Sequence, residues 1–588
     1  MNLDRVLDSF YGSSTDELME TLNAFNSQWA QVFSVSEPVA KKKKLVENIF
    51  RYLRDPEHEK HYLTLLTTLR ILSRDKNGPD ELFTIDRVET ILHFARLVGE
   101  EEAFMTDNSE HFDARIVIEA QKSICNLIFN NLIIRRICCN NSFVDGIMLR
   151  LKMFKDPQLP FEVKYYDMRA LFLITALSPE MRPKIREKYH GLIYLMEAVD
   201  LILKEAEEPG QKPSKKSQRK RNKDKSKTVS GETKSQSEKT VPSTQLNEKK
   251  DAKGPHSLDS SSVDLCCEVL KVLYNLTLSY DRGHLDEVEE AHFLRLVGIL
   301  HDLLLTEAET KEKKEELHNH IVNMLTNIPS YCYEELLVPI EEIGRIDNPR
   351  YEYEDMNVEA ISVLLEFLER RFDKPSKELY ESLSPVLTCL SSMARTNRII
   401  RKYLKNQILP PLRDVENRPE EGDTSRNKLV RLMTNPDTRV KEMAADFLFV
   451  LCKESAQRLV KYTGYGNAAG LLAKRGLMLG GRGKGNYSSE SEDSDTEEYL
   501  KVKEKINPVT GCYEPKKTNP MEGMSDAEKE AEAIKLINMM DKLLRTGTIQ
   551  PCRVGEDGKP HPVEHILELQ YPERDILATE KESADDSD

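Results

Sequence analysis

The residues best suited to carry chemistry in this 588-residue chain are serines surrounded by acidic residues. Ser489 and Ser494 lie in the run SSESEDSDTEEY, and each has a glutamate three positions further on, Glu492 or Glu497. This spacing is the one that an acid-directed protein kinase prefers. Each phosphate would add about −1.5 to −2 charges at pH 7. We therefore predict that Ser489 and Ser494 are phosphorylated.

Two groups of basic residues precede these serines and are candidates to receive their phosphates. The first group has the three- and four-residue spacing that places side chains on one side of a helix, and the second lies at the end of the last predicted repeat. A run of charge is usually only a solvated helix face. Here, however, the serines follow closely on a glycine-rich tether, which gives them a high effective concentration. The predicted basic groove consists of Arg398, Arg401, Lys402, Arg458 and Lys461.

No spacing of residues supports covalent catalysis. The glycines from Gly464 to Gly470 resemble a dinucleotide-binding loop but miss its spacing by one residue. Gly485 stands where a phosphate-binding loop needs a serine or threonine. His318 and His320 are two positions apart, so on a helix they point to different sides and cannot share a metal. We expect no enzyme activity, no cofactor and no metal site.

The elements that must position these residues are helices. Leucine and isoleucine recur at helical spacing through most of residues 1–470, as in Ile116–Asn131 and Val263–Ser279. Alternation of apolar and polar residues between hairpin turns is essentially absent, so the sequence predicts an all-α protein. Stacked repeats of about 40–45 residues bury so many amphipathic helices most readily. We predict an armadillo/HEAT-like helical-repeat superhelix.

Composition divides the chain into segments. Lysine and arginine without apolar periodicity cannot bury enough surface to offset the entropy of ordering, which predicts a disordered insertion. The run KKSQRKRNKDK within it is alternatively a nuclear-localisation or anionic-membrane patch. The predicted segments are helical repeats over 1–204 and 259–475, the insertion over 205–258, a flexible glycine-rich linker over 476–524, an amphipathic helix over 525–547 and a mostly disordered tail over 548–588.

The segment 525–547 is an amphipathic helix with few local partners. Ser525 and Glu528 form a capping-box sequence at its start, and Gly547 stands at its end. Such a helix must fold back on the repeats or lie on another protein. Its predicted apolar stripe consists of Leu536, Ile537, Met540, Leu543 and Leu544.

An asparagine recurs between apolar residues late in three predicted helices, at Asn126, Asn275 and Asn327. In armadillo repeats an asparagine of this kind lies on the concave face and pairs with the backbone of a bound peptide. The alternative is that each asparagine only caps its own helix. Arg70 and Arg74, four apart on another helix, are suited to an acidic peptide end or a C-terminal carboxylate, although arginines alone are more often solvated.

We expect a soluble, cytoplasmic protein that is a monomer. Charged residues make up 31% of the chain and the net charge is −15, which argues against general nucleic-acid binding. The first ten residues, MNLDRVLDSF, carry acids where a targeting signal would carry bases. No run of about eighteen apolar residues occurs, so we expect no membrane span.

Several C-terminal motifs carry a resemblance to a known family. They are LPPLRDV (Leu409–Val415), RNKLVRLMTNPDTRVKEMAADFLFVLC (Arg426–Cys452), the glycine-rich to acidic block Arg458–Tyr499, INPVTG (Ile506–Gly511) and NPMEGM (Asn519–Met524). Together they resemble the C-terminal module of synembryn, a helical-repeat chaperone and nucleotide-exchange factor for heterotrimeric G-protein α subunits (Gα). A weaker resemblance extends back to about residue 60.

The resemblance implies a function. A concave solenoid would grip the C-terminal helix of a monomeric Gα and draw it from the Ras-like core, so that GDP leaves. The linker and the helix 525–547 would then stabilise the nucleotide-free Gα. The partners implied are GDP-bound or nucleotide-free Gα, but not the βγ-bound heterotrimer, and an acid-directed kinase. Recruitment to the cell cortex would follow from Gα.

The resemblance also implies residue roles. Ser489 and Ser494 match the phosphorylated positions of the family, and the five basic residues named above match its receiving groove. The residues that match the family's concave trough are Arg70, Arg74, Asn126 and Tyr166. The alternative function is a passive armadillo adaptor that carries peptides, as nuclear-import carriers do. Such carriers have tryptophan-rich troughs, whereas this chain has a single tryptophan, Trp29.

Overall fold

The computed structural model describes residues 3–33, 37–76, 79–97, 99, 113–207, 257–278, 280, 285–343, 348–413, 415–485, 487, 495–515 and 519–563. These residues belong to two compact units, Met1–Ile328 and Pro329–Asp588. Ser489, Ser494, most of the predicted basic insertion and residues 564–588 lie outside the described residues.

The first unit is built of helices. Two short strands, β1 (Ser257–Leu258) and β2 (Glu307–Ala308), pair in parallel. A short 3-10 helix occurs at Pro56–His61 and a short π-helix at Lys184–Lys188. The α-helices are α1 (Leu3–Gly12), α2 (Thr15–Trp29), α3 (Val39–Leu53), α4 (Tyr62–Ser73), α5 (Pro79–Leu82), α6 (Ile85–Phe94), α7 (Ala114–Asn130), α8 (Leu132–Asn140), α9 (Phe143–Lys152), α10 (Phe161–Leu177), α11 (Met181–Pro183), α12 (Gly191–Glu207), α13 (Ser260–Thr277), α14 (Glu287–Leu305) and α15 (Lys311–Leu325).

Helices α4, α7, α10, α13 and α15 pack side by side in that order, and we call them the stacked layer. Helices α3, α6, α12 and α14 each pack against a member of this layer. The apolar side chains between them, such as Ile124, Leu171 and Leu273, are fully buried. Burial of one face of each helix against its neighbours is the packing of helical repeats, so the predicted all-α repeat fold is confirmed.

The three recurring asparagines join consecutive helices of the stacked layer. The Nδ2 atom of Asn126 donates to the carbonyl of Arg70 (3.3 Å) and to the Ser73 hydroxyl (3.0 Å). Asn275 and Asn327 repeat the arrangement two and three helices further along. Their amides donate to a carbonyl and to the hydroxyl three residues later, Phe172 with Thr175 and Tyr274 with Thr277. Each of these side-chain amides therefore contacts the preceding helix of the stacked layer.

The second unit is also mainly helical. Its short strands are β3 (Val338–Pro339), β4 (Glu352–Tyr353), β5 (Met356–Asn357), β6 (Ile506–Asn507), β7 (Cys512–Tyr513), β8 (Cys552–Val554) and β9 (Pro560–Pro562), and 3-10 turns occur at Ser330–Leu336, Pro349–Tyr351 and Lys503–Lys505. Strand β5 pairs antiparallel with both β3 and β4, β6 with β7, and β8 with β9. The α-helices are α16 (Ile340–Ile343), α17 (Glu359–Arg371), α18 (Leu379–Thr396), α19 (Arg398–Ile408), α20 (Ser425–Leu432), α21 (Thr438–Leu451), α22 (Ala456–Thr463), α23 (Tyr465–Arg475), α24 (Glu497–Val502) and α25 (Asp526–Arg545).

Helix α18 is the centre of the second unit. It packs against α17, α19 and α21, and α21 in turn contacts α20, α22 and α23. Leu387 of α18 and Phe447 of α21 are fully buried. Helix α23 ends at Gly476, whose left-handed backbone (φ 69°) closes the last turn as glycine does most easily. Among the helices in the described part of the chain, none is both long and apolar enough to cross a membrane.

Candidate functional site

Helix α19 carries three of the predicted groove residues. The Asn397 side chain caps its first turn by accepting a hydrogen bond from the backbone N–H of Ile400. The Lys402 Nζ atom lies 2.7 Å from a carboxylate oxygen of Glu354, and an Arg398 guanidinium nitrogen lies 3.7 Å from the other oxygen. One carboxylate therefore faces both cations.

Glu354 reaches these cations from a strained turn. Glu354 and Asp355 connect β4 to β5, and both have left-handed backbones, with φ of 48° and 62°. Residues other than glycine rarely adopt this conformation, so the surrounding contacts must hold it. The Tyr353 hydroxyl accepts a hydrogen bond from Asn406 (2.9 Å), and its ring packs edge-on against Tyr403 of α19. The hairpin is thereby fixed on α19.

Arg401, the third groove residue of α19, is almost fully buried. One guanidinium nitrogen donates to the carbonyl of Ala394 (2.9 Å), and the guanidinium lies 4.9 Å from the centre of the Tyr487 ring. Tyr487 is the last described residue before residues 488–494, which we call the serine tract. Arg401 therefore contacts the chain two residues before Ser489.

Arg458 and Lys461 lie on the neighbouring helix α22, whose N-terminus is capped by Ser455. The Lys461 Nζ atom forms an ion pair with Asp495 (2.7 Å), which also pairs with Lys503 (3.0 Å). The hydrogen bond from Lys461 is the main cause that holds the pKa of the Asp495 carboxyl below its usual range. Asp495 is the first described residue after the serine tract. Both ends of that tract thus contact predicted groove residues.

A cavity of about 420 Å³ lies beside α22. Arg458, Lys461, Asp495 and Tyr499 contribute to its lining. Helices α19 and α22 are neighbours, because the Lys405 Nζ atom lies 5.5 Å from the centre of the Tyr462 ring. The structure therefore brings the two groups of groove residues onto adjacent helices, with acidic side chains already paired to some of them.

In the first unit, Arg70 and Arg74 lie at the end of α4. The Arg70 Nε atom hydrogen-bonds to Glu119 of α7 (2.5 Å). Arg74 donates to the carbonyl of Ala30 (2.6 Å) and stacks over the exposed ring of Phe33. Burial, followed by the proximity of Arg70, lowers the pKa of the Arg74 guanidinium. Both arginines are therefore held in place by the protein itself.

Asn126 and Tyr166 lie on the next two helices of the stacked layer. Glu119, which pairs with Arg70 of α4, also accepts a hydrogen bond from Lys122 through its second carboxylate oxygen (3.1 Å). The Lys122 Nζ atom in turn lies 5.3 Å from the centre of the Tyr166 ring on α10. The Tyr166 ring packs on the buried side chains of Val117, Ile118 and Val163, and burial raises the pKa of its hydroxyl. Arg70, Asn126 and Tyr166 thus occupy three consecutive helices.

Helix α25 begins at the Ser525–Glu528 capping box, and none of its residues is buried. Leu536 and Ile537 are 58% and 57% exposed. Met540, Leu543 and Leu544, which complete the predicted stripe, are partly covered. Exposed side chains of this size on one stripe are typical of a helix that docks on a partner.

One group of described side chains has atoms suited to a metal: Cys267, Glu316 and His320 lie within 4.8 Å of one another. Burial raises the pKa of the Cys267 thiol to about 12, and the Lys313 Nζ atom already lies 2.8 Å from Glu316. A protonated thiol and a carboxylate that is paired to a lysine are poor ligands, so we assign no metal to this group.

Sequence reasoning missed the acidic partners of the predicted cations. Glu119, Glu354 and Asp495 sit in acidic or mixed stretches that look like ordinary solvated surface. Their pairing with Arg70, Lys402 and Lys461 depends on contacts across 49, 48 and 34 positions. A charge-complementary partner at such a separation has no local sequence pattern.

The stacked layer, the basic helix α19 and the uncovered helix α25 define a helical-repeat protein with surfaces suited to binding other proteins. The sequence model of one family, described as guanine nucleotide exchange factor synembryn, matches residues 65–559. The chain belongs to this family, which confirms the resemblance. The family description supports an exchange factor and gives no support to the passive adaptor.

Curated relatives match the chain over nearly its full length. A protein from Danio rerio named Chaperone Ric-8A is 39% identical over 586 residues, covering 97% of this chain and 98% of the relative. Proteins of the same name from Xenopus tropicalis and Mus musculus are each 37% identical over 584 residues. They cover 99% of this chain and 100% and 99% of their own lengths.

Proposed function

We propose that this chain promotes GDP release from monomeric Gα subunits and, by holding their nucleotide-free state, also acts as their folding chaperone. The observation that carries the proposal is the match to the exchange-factor family over residues 65–559, together with full-length relatives named as chaperones. The two activities need only one binding preference. An exchange factor must bind the nucleotide-free state more tightly than the loaded state, and about 1.4 kcal/mol of preference shifts the equilibrium tenfold.

The stacked layer is the proposed site for the C-terminal helix of Gα. Arg70, Asn126 and Tyr166 on consecutive helices, with Arg74 beside Arg70, offer two cations, an amide and an aromatic ring. A Gα helix bound across these three consecutive helices would place apolar residues on Tyr166 and its terminal carboxylate near the arginines. Because Asn126 and both arginines already contact the protein, the site is pre-organised, which reduces the entropy lost on binding.

Helix α25 is the proposed second contact with Gα. Its exposed Leu536 and Ile537 lack cover in the described part of the chain. Burial of such side chains against the Ras-like domain would contribute about 25 cal/mol for each Å² of apolar surface removed from water. A helix in this role would stabilise Gα after its own C-terminal helix has been withdrawn.

Phosphorylation of Ser489 and Ser494 by an acid-directed kinase is the proposed regulation. It is supported by the residues on either side of the tract, because Tyr487 contacts Arg401 and Asp495 contacts Lys461. A phosphate carries up to about two charges, against one for the carboxylates that now face Lys402 and Lys461. The phosphorylated tract would therefore compete for Arg398, Lys402, Arg458 and Lys461 and fix the linker.

The proposal includes a location and a nucleotide state. The chain would act as a monomer in the cytoplasm and reach the cell cortex through Gα. It would bind GDP-loaded or empty Gα but not the βγ-bound heterotrimer, in which Gα is already occupied by βγ.

Complex formation tests the proposal. Purified chain is mixed with GDP-loaded Gα, and the products are separated by size-exclusion chromatography with nucleotide quantified in each peak. We expect a complex that lacks GDP. The matched control is Gα without its C-terminal helix, which should not form the complex. Equal binding of the truncated Gα would overturn the proposed role of the stacked layer.

A further inference from the structure

The turn after α21 holds a buried acid in an unfavourable backbone conformation. Lys453 and Glu454 both have left-handed backbones, with φ of 55° and 48°. Each such residue costs about 1 kcal/mol or more when it is not glycine. The Glu454 side chain is only 7% exposed. Burial of a carboxylate is costly unless the carboxylate is paired and hydrogen-bonded. The groups that pair with the Glu454 carboxylate therefore indicate what this turn is positioned to bind.

The partners of the Glu454 carboxylate come largely from the glycine-rich linker. The backbone N–H of Gly485 donates to one oxygen (3.1 Å), and the Tyr487 hydroxyl donates to the other (3.2 Å). The Arg395 Nε atom of α18 lies 3.5 Å from that second oxygen. The carboxylate therefore bridges the helical core and the linker.

The linker backbone pairs with the same turn. Gly483 N–H donates to the Glu454 carbonyl (2.8 Å), and Ala456 N–H donates to the Gly481 carbonyl (3.0 Å). A Cβ atom at Gly483 would lie 2.9 Å from the Glu454 Cβ atom, which is closer than carbon atoms approach. Glycine at position 483 is thus required for the linker to lie flat on the turn.

Tyr487 closes the contact from the other side. Its ring lies 4.9 Å from the Arg401 guanidinium, while its hydroxyl donates to Glu454. Burial, followed by the negative charge of Glu454, raises the pKa of the Tyr487 hydroxyl to about 12. The hydroxyl therefore stays protonated at physiological pH and remains a donor.

We infer that Glu454 is a binding site for the chain's own linker, which captures Gly483, Gly485 and Tyr487 without phosphorylation. The occupant is specified by the close approach that only glycine allows and by a tyrosine that fits between a carboxylate and a guanidinium. The capture itself does not depend on Gα. Its consequence, that the tether to Ser489 starts at a fixed point beside α19, rests on the proposed function.

Hydrogen–deuterium exchange and limited trypsin digestion of the full chain test the inference, without kinase and without Gα. Both report on the linker, because its amides become protected and its basic residues, Arg482 and Lys484, become resistant to trypsin when it is bound. Glu454→Gln keeps the shape of the side chain but removes the charge. We expect linker exchange and cleavage after Arg482 or Lys484 to increase about tenfold, the effect of losing a hydrogen bond to a charged group.

Two further variants approach the contact from the linker, so that a folding defect in Glu454→Gln does not decide the result. Gly483→Ala and Tyr487→Phe should also increase linker exchange, with the larger effect for Gly483→Ala. The matched control is Glu442→Gln, which removes a different ion pair of α21, the one with Lys474. It should leave the linker unchanged. Linker protection that is unaltered in all three test variants, or that is absent from the parent chain, would overturn the inference.

Discussion

The Lys402 Nζ atom lies 2.7 Å from a carboxylate oxygen of Glu354, and the same carboxylate faces Arg398. The basic groove is therefore partly neutralised before any serine is phosphorylated. Glu354 lies in a two-residue left-handed turn, so the backbone as well as the side chain sets the position of its carboxylate. A phosphate that docks on these cations must displace a fixed internal anion.

Removal of that anion should strengthen phosphate docking. In Glu354→Gln, a doubly phosphorylated peptide spanning residues 487–496 is expected to bind a Ser489→Ala/Ser494→Ala chain several-fold more tightly, because the phosphates no longer compete with a carboxylate. Fluorescence anisotropy of a labelled peptide measures the change. Glu352→Gln in the same hairpin is the control. Equal affinity of the peptide for the Glu354→Gln and Glu352→Gln variants would show that Glu354 does not compete with phosphate for the basic groove.

The end of the serine tract should detach at acidic pH. The pKa of the Asp495 carboxyl is lowered, mainly by the hydrogen bond from Lys461. Because the folded pKa lies below the unfolded value near about 4, this pairing contributes its full stability above that value and loses it as pH falls through the folded pKa. We expect amide protection of residues 495–505 to be constant from about pH 5 to 8 and to fall below about pH 4.

The control for this pH dependence is Asp495→Asn. The amide cannot titrate, so the variant should show weaker protection at neutral pH and lose the acid-dependent step. A step of the same size in Asp495→Asn would assign the titration to another group.

The asparagine contacts between repeats should contribute to stability. Asn275→Ala removes two hydrogen bonds to α10 and leaves the buried Thr175 hydroxyl without this donor. We expect the free energy of unfolding to fall by about 1–3 kcal/mol, as for other buried hydrogen-bonding groups. Urea unfolding monitored by circular dichroism measures it. Asn140→Ala, on the exposed end of α8, should change it by less than about 0.5 kcal/mol. Equal effects at the two positions would contradict a structural role for Asn275.

The exposed stripe of α25 should matter for Gα and not for the free chain. Leu536→Glu/Ile537→Glu places charges where both side chains are already solvated, so the melting temperature of the chain should change little. Affinity for nucleotide-free Gα should fall at least about tenfold, because burial of a charge is unfavourable. Biolayer interferometry measures the affinity. Asn538→Glu, on the opposite face, is the control, and a parallel loss of binding there would argue against a stripe-specific contact.

The sequence predicts the helices well because their apolar periodicity and caps are local. The capping box at Ser525 and Glu528 marks the start of α25 within one residue, and the left-handed cap at Gly476 ends α23. It also predicts that Arg398, Arg401 and Lys402 share a helix. What those residues contact depends on folding across long separations. The turn at Glu354, which contains no glycine, and the 53-residue separation of Asn126 from Ser73 have no local pattern.

Release of labelled GDP from purified Gα subunits tests the central claim most directly. The chain, in excess, is added to several Gα classes, both unphosphorylated and after treatment with an acid-directed kinase, with Ser489→Ala/Ser494→Ala as the control. We predict faster release from at least one class, followed by a stable nucleotide-free complex, and a further increase on phosphorylation that the control lacks. Unchanged release and no complex with any class would contradict the exchange-factor account.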